Sequence, residues 1–195
     1  MTVGKVEDVG DASNATRNVA VCEGGGLGAQ QCGGERREET FAGLVGGARA
    51  ARAVVASTRG EATAIVEAVR RHTDYLLEFT PATPVPIGNA YLTPATLGRD
   101  RLAAAVGAAT LYPGRNALIV DFGTAVTLDF VSADGVFRGG CISPGMAMRF
   151  RALHEYTAAL PLCDATDSAG LPGRTTGEAV RPGVANSAAL GHGGY

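Results

Sequence analysis

The amino-acid sequence predicts an α/β fold, and two observations indicate it. From residue 53 onward, short apolar runs with strand character alternate with amphipathic or alanine-rich helical segments. Between residues 117 and 142, three strand-like runs follow one another and are separated by glycine-containing turns. The chain has 195 residues, of which 46% are hydrophobic, so it is long enough to bury a core in one large or two small domains.

The strands are predicted where apolar runs end at turn residues. Residues 18–22 form the first convincing strand, and the glycines at 24–26 indicate a hairpin turn after it. No strand and helix bracket this glycine run, which argues against a nucleotide-binding loop. Further strands are predicted at residues 53–57, 75–79, 117–121, 124–131 and 136–142.

Four helices are predicted from periodicity and from their stop signals. They lie at residues 60–72, 96–111, 146–160 and 174–189. Pro113-Gly114 ends the second of them, which is rich in alanine. Pro182 lies within the fourth and is expected to kink or split it, because proline lacks the N–H that a helix interior needs.

Composition excludes several classes of function. The net charge is −2 and the pI is about 5.9, so no basic excess favours nucleic acid, and the scattered cationic residues do not favour a membrane surface. No apolar run approaches the ~20 residues of a membrane span, and the polar N-terminus does not resemble a signal peptide. The four cysteines lack metal or redox spacing, which is typical of reduced cysteines in a cytoplasmic protein.

A carboxylate ends the strand at residues 117–121. At a strand end, the charge of Asp121 can face solvent, a metal ion or a phosphate, while Gly123 lets the backbone approach a ligand and Thr124 offers a hydroxyl and an amide. The alternative is that Asp-x-Gly forms an ordinary structural turn.

A second carboxylate opens the alanine-rich helix, in the run Gly98-Arg99-Asp100-Arg101. The helix dipole alone favours an acidic residue in a first turn. The functional alternative is that Asp100 accepts a proton from a substrate hydroxyl while Arg101 holds a substrate carboxylate in a fork. Further along, Gly139-Gly140 indicates that the backbone passes close to a ligand or to another strand.

Taken together, these motifs resemble those of type III pantothenate kinases. In order they are TP-x-TLG-x-DR, DFGTA, GG-x-I-x-PG, RALHEYT and GRTT-x-EA. The resemblance covers residues 85–184 well and is weaker before them. It implies a duplicated actin-like fold, with one half at residues 1–93 and an incomplete second half at residues 94–195.

The resemblance also implies roles for individual residues. Asp100 matches the catalytic base, Thr124 an ATP contact, and Asp121 the site of a monovalent cation, K⁺ or NH₄⁺. The positions that match substrate contacts are Tyr91, Gly98, Arg99, Arg101 and Thr176. The implied reaction is phosphorylation of pantothenate by ATP with Mg²⁺, the first step of coenzyme A synthesis, in a cytoplasmic homodimer.

The N-terminus departs from the family's phosphate hairpin, Asp-x-Gly-Asn-Thr/Ser-x-x-Lys. One alignment uses Asp11 and Asn14 and places Ser13 where the family has glycine, whereas the other uses Asp8 and keeps the Asp-x-Gly sequence. In both alignments Asn18 stands in the lysine position, and asparagine supplies no charge to phosphates. Which aspartate faces the phosphates stays open.

The C-terminal end also departs from the family pattern, since members continue for several dozen residues beyond the last predicted helix. We therefore expect weak ATP binding. The alternative function is that of a degraded, non-catalytic homologue that binds a ligand or a partner. A carbohydrate or acetate kinase of the same superfold fits less well, because the GRDR and RALHEYT segments match pantothenate kinases better.

Overall fold

The computed structural model describes residues 18–23, 26–32, 49–56, 63–80, 82–165 and 171–192. The strands in these ranges are β1 (Asn18–Glu23), β2 (Gly26–Cys32), β3 (Ala53–Ala56), β4 (Leu76–Phe79), β5 (Gly88–Asn89), β6 (Ala117–Phe122), β7 (Ala125–Ser132) and β8 (Val136–Pro144). The α-helices are α1 (Thr63–Arg71), α2 (Arg99–Leu111), α3 (Met146–Glu155) and α4 (Thr176–His192). The predicted α/β class is therefore confirmed, while the actin-like duplication stays a prediction.

The described strands form three sheets. β1 and β2 pair antiparallel, with Glu23 opposite Gly26, so the predicted first strand belongs to a hairpin. β3 and β4 pair in parallel and are connected through α1, as in a βαβ unit. The third sheet has four strands in the order β5-β8-β7-β6, and its strand β5 runs parallel to β8.

The chain divides into two compact units, and the first holds the larger core. Its described residues are 18–23, 26–32, 49–56, 63–80, 82–120 and Thr127–Cys141. The core combines one face of α2 with residues of β4, β7 and β8. Its buried members are Phe79, Leu97, Leu102, Ala105, Val131 and Phe137. Packing against this core explains why α2 forms although its own hydrophobic pattern is weak.

The second unit contains Asp121–Val126 and the described residues from Ile142 onward. Its core joins α3 to α4 through Phe150, Cys163, Val180 and Val184. None of the helices in the described part of the chain combines the length and apolar character that crossing a bilayer requires. The predicted division near residue 93 stays a prediction.

Two predicted helices differ from those observed. Of the kink or split expected at Pro182, the split is wrong, because α4 runs through this residue as one helix. Val180 and Val184 are both buried on either side of Pro182, and this packing offsets the lost backbone hydrogen bond. The helix predicted to reach residue 160 ends at Glu155. Beyond this end, the carbonyl oxygen of Leu160 accepts a hydrogen bond from Nδ1 of His154, in the last turn of the helix, at 2.8 Å.

Candidate active site

A buried ion pair joins the first turn of α2 to the middle of β7. The Arg101 side chain is 6% exposed and that of Asp129 is 1% exposed. Arg101 Nε donates to both carboxylate oxygens, at 3.1 Å to Oδ1 and 3.0 Å to Oδ2. Its Nη2 donates to Oδ1 at 2.5 Å. Each charge compensates the other, which is the condition under which two ionised side chains tolerate burial.

Hydrogen bonding to Asp129 raises the pKa of Arg101 above its ordinary value. Burial lowers this pKa, whereas the charge of Asp129 and a hydrogen bond and electrostatic contribution from Tyr91 raise it further. Arginine is protonated throughout the physiological range, so this shift does not make Arg101 a proton donor. Its consequence is a fixed positive charge at the start of α2.

The guanidinium of Arg101 lies over two aromatic rings. Its Cζ lies 5.6 Å from the centroid of Tyr91 and 5.9 Å from that of Phe137. The two ring centroids are 6.1 Å apart and the ring planes are inclined by 41°. These distances fall within the range of cation–π attraction. The backbone N–H of Tyr91 in turn donates to Asn89 Oδ1 at 2.9 Å, which fixes the segment that carries the ring.

The glycine pair on β8 makes room for this cluster. Gly139 has φ = 100°, a conformation that favours glycine, and a Cβ there would lie 3.6 Å from the Tyr91 ring. A Cβ on Gly140 would overlap the carbonyl oxygen of Leu128 and would lie 2.5 Å from Asp129 Oδ1. The close approach that the sequence indicated at Gly140 is therefore to the neighbouring strand β7.

We expect Gly140→Ala to lower the free energy of unfolding by about 1–3 kcal/mol, because the added methyl overlaps atoms of β7 that cannot move aside freely. Urea denaturation followed by circular dichroism measures this change. Gly107→Ala is the matched control, since a Cβ at Gly107 meets nothing within 4 Å in the interior of α2. The control should be neutral or stabilising by about 0.5–1 kcal/mol. Equal destabilisation by both changes would contradict the steric explanation.

Asp100 lies beside the ion pair in sequence but differs from it in exposure. Asp100 is exposed to solvent, whereas Arg101 is buried. Asp100 Oδ1 accepts a hydrogen bond from the backbone N–H of Arg101 at 2.9 Å, and it lies where a Cβ on Gly98 would be. The lack of a side chain at Gly98 leaves room for the carboxylate to fold back over the helix start. Arg99 is half-buried. This end of α2 can offer a carboxylate to a ligand hydroxyl.

The turn that follows β6 belongs to the second unit. Asp121, near the end of β6, and Thr124, in the turn, are both half-buried, and each has at least one polar or electrostatic partner. Gly145 N–H donates to the carbonyl oxygen of Thr124 at 2.9 Å, and a Cβ on Gly145 would overlap the carbonyl oxygen of Gly123. The Pro-Gly break after β8 therefore packs directly against this turn, which supports a structural role for Gly145.

The GRTT-x-EA motif caps helix α4. Thr175 Oγ1 accepts from the backbone N–H of Glu178 at 3.2 Å, and Glu178 Oε2 accepts from the backbone N–H of Arg174 at 2.9 Å. This reciprocal pattern is close to a capping box. Thr176 is the first residue of α4 and is exposed, and these two cap hydrogen bonds do not involve its hydroxyl.

Most of the predicted phosphate hairpin, including Asp8, Asp11 and Asn14, lies outside the described residues. Asn18 begins β1 and pairs with Cys32. Across the described ranges, no group of three or more His, Cys, Asp and Glu side chains is arranged to hold a metal ion.

Comparison with known proteins identifies the family. The family model described as type III pantothenate kinase matches residues 11–191, which is most of the chain. The chain belongs to the type III pantothenate kinase family.

Several curated type III pantothenate kinases are similar to it. The relative from Phocaeicola vulgatus is 43% identical over 144 residues, which cover 74% of this chain and 60% of the relative. The relative from Cytophaga hutchinsonii is 51% identical over 104 residues, or 53% of this chain and 44% of the relative. The matches therefore span about half the length of these relatives.

Among solved structures, a conserved Baf family protein from Campylobacter jejuni has a similar fold. Its TM-score is 0.55 at 18% identity, and the alignment covers 93% of this chain and 74% of that chain. At this identity the likeness concerns the fold alone.

The structure of this pantothenate kinase family member brings some predicted site residues together and adds one that was not predicted. Tyr91, Gly98, Asp100 and Arg101 all lie in the first unit, around the start of α2, whereas Asp121, Thr124 and Thr176 belong to the second. Asp129 was not among the predicted residues. Its signal was a lone carboxylate inside an apolar strand, which calls for a cationic partner.

Proposed function

We propose that this chain binds pantothenate and catalyses its phosphorylation by ATP to 4'-phosphopantothenate, the first step of coenzyme A synthesis. The observation that carries the proposal is the pairing of an anchored guanidinium, Arg101, with an exposed carboxylate, Asp100, at the start of one helix in a member of this family. Pantothenate carries a carboxylate at one end and a primary hydroxyl at the other. Consecutive helix positions point about 100° apart, so the two side chains suit the two ends of one extended ligand.

In the proposed mechanism, Arg101 and the neighbouring substrate set (Tyr91, Gly98 and Arg99) bind and orient pantothenate. Asp100 accepts the proton of the primary hydroxyl as its oxygen attacks the γ-phosphorus of ATP, and ADP leaves with the bond electrons. We assign Thr124 and the N-terminal residues Asp8, Asp11, Asn14 and Asn18 to ATP, and Thr176 to the substrate. Magnesium bound to ATP would supply charge compensation for its phosphates.

The direct test is to incubate the purified chain with pantothenate, ATP and Mg²⁺ and to follow phosphopantothenate by mass spectrometry. Product formation that requires Asp100 supports the proposal. Pantothenate binding in calorimetry without any product would favour the alternative of a non-catalytic binding homologue. The absence of both binding and product would overturn the proposal.

A potassium effect is expected if Asp121 contributes to a monovalent cation site beside the turn that carries Thr124. We expect phosphorylation to be faster in K⁺ or NH₄⁺ than in Na⁺ at equal ionic strength. Asp121→Asn should remove this preference, whereas Asp134→Asn, at an exposed carboxylate of the β7–β8 turn, should retain it. Equal rates in all three salts would count against a cation site at Asp121.

The family resemblance further supports a duplicated actin-like fold divided near residue 93, a homodimer and a cytoplasmic location. Light scattering coupled to size-exclusion chromatography tests the dimer, which we expect at twice the mass of the 19.8 kDa chain. A monomer at micromolar concentration would contradict it.

A further inference from the structure

The Asp129 carboxylate occupies only one edge of the Arg101 guanidinium. All the hydrogen bonds between them use Nε and Nη2. A guanidinium carries five N–H donors in a rigid plane, one on Nε and two on each Nη. The pair with Asp129 therefore leaves two donors on Nη1 and one on Nη2. One donor from each of these nitrogens forms the other bidentate edge, and Tyr91 also hydrogen-bonds with this side chain.

Asp129 itself is placed to act only through Arg101. Its side chain is 1% exposed, so it cannot contact a ligand from solvent. The absence of a side chain at Gly140 lets β8 pass directly over it, and this packing fixes the carboxylate. Tyr91 and Phe137 add cation–π contacts, with ring centroids 5.6 and 5.9 Å from the guanidinium Cζ.

We propose that Asp129 is a positioning residue that sets specificity for a carboxylate-bearing substrate by holding Arg101 with its second bidentate edge ready for the ligand. The inference rests on the proposed function, in which the ligand is pantothenate. A free arginine loses rotamer freedom when it binds a ligand, whereas Arg101 has already lost it on folding. Because the Arg101 side chain is only 6% exposed, a carboxylate that reached these donors would meet them in a largely desolvated setting, where charge-assisted hydrogen bonds are strong.

The test compares pantothenate with panthenol, in which a primary alcohol replaces the carboxylate and the phosphorylated hydroxyl is unchanged. The unaltered chain should prefer pantothenate by roughly 10- to 150-fold in kcat/KM, or in Kd measured by calorimetry. Asp129→Asn keeps the side-chain shape but loses the charge that grips Arg101. It should reduce the preference at least about tenfold, by raising KM for pantothenate with little change in kcat.

Asp134→Asn is the matched control, because it removes an exposed carboxylate that pairs with Arg138 and should leave the preference unchanged. An unchanged or larger preference for pantothenate in Asp129→Asn would overturn the inference while leaving the proposed function intact. If the unaltered chain binds both compounds equally well, the inference is overturned while the proposed function stands. If it binds neither compound, the proposed function fails and the inference falls with it.

A measurement on the unaltered chain decides the matter if Asp129→Asn does not fold. In ¹⁵N-arginine NMR spectra, Arg101 should show separate, slowly exchanging Nη signals before any ligand is added, because Asp129 prevents rotation of the guanidinium. Pantothenate should shift these signals and panthenol should not. Averaged Nη signals in the free protein, or equal shifts with the two compounds, would overturn the inference.

Discussion

Asp100→Asn should lower kcat for pantothenate phosphorylation by roughly 10²- to 10⁴-fold, the usual contribution of a general base. Asparagine retains the size of the side chain and can still accept the hydrogen bond from the backbone N–H of Arg101, so the start of α2 should be preserved. What is lost is the capacity to take a proton from the substrate hydroxyl. KM for pantothenate should change little, because we assign the binding of its carboxylate to Arg101.

Steady-state kinetics with coupled ADP detection measures this effect, and circular dichroism verifies the fold. Asp134→Asn serves as the control, since it makes the same chemical change at an exposed carboxylate on the β7–β8 turn. An unchanged kcat in Asp100→Asn would remove this residue from the mechanism. The acidic residue at this position would then be explained by the dipole of α2 and by the hydrogen bond it accepts from the Arg101 N–H.

Asp129→Ala should lower the free energy of unfolding by about 3–5 kcal/mol, which is the typical cost of leaving one member of a buried ion pair without its partner. Arg101 is 6% exposed and would keep its positive charge in that environment. Urea denaturation followed by circular dichroism gives the difference. Asp134→Ala, which breaks a pair whose side chains are 58% and 46% exposed, should leave the unfolding midpoint almost unchanged.

A double variant separates charge from packing. Arg101→Met together with Asp129→Leu removes both charges and retains much of the volume, and such replacements are often neutral or stabilising. We expect this protein to be clearly more stable than Asp129→Ala, although unable to distinguish pantothenate from panthenol. A double variant as unstable as the single one would show that lost packing, and not an uncompensated charge, causes the destabilisation.

The identities of most elements followed from short-range patterns. The strand at residues 53–57, the alanine-rich helix and the run of strands from residue 117 were all predicted within a few residues of β3, α2 and β6. Periodicity and turn residues act over a few positions, and this is the range over which a chain selects a strand or a helix. The helix ends were less accurate. Packing and side-chain hydrogen bonds, such as that from His154 to Leu160, decide where a helix stops.

The candidate site shows the same division. Motif order was sufficient to indicate the family and to single out Asp100 and Arg101, because spacing along the chain carries that information. The partner of Arg101 lies 28 positions further along the chain, and only folding brings α2 against β7. Tertiary packing also decided two further questions. It placed Gly140 against a strand, and it kept the helix around Pro182 continuous. Local sequence specifies backbone preference, whereas the compensation of a buried charge or a lost hydrogen bond comes from residues distant in sequence.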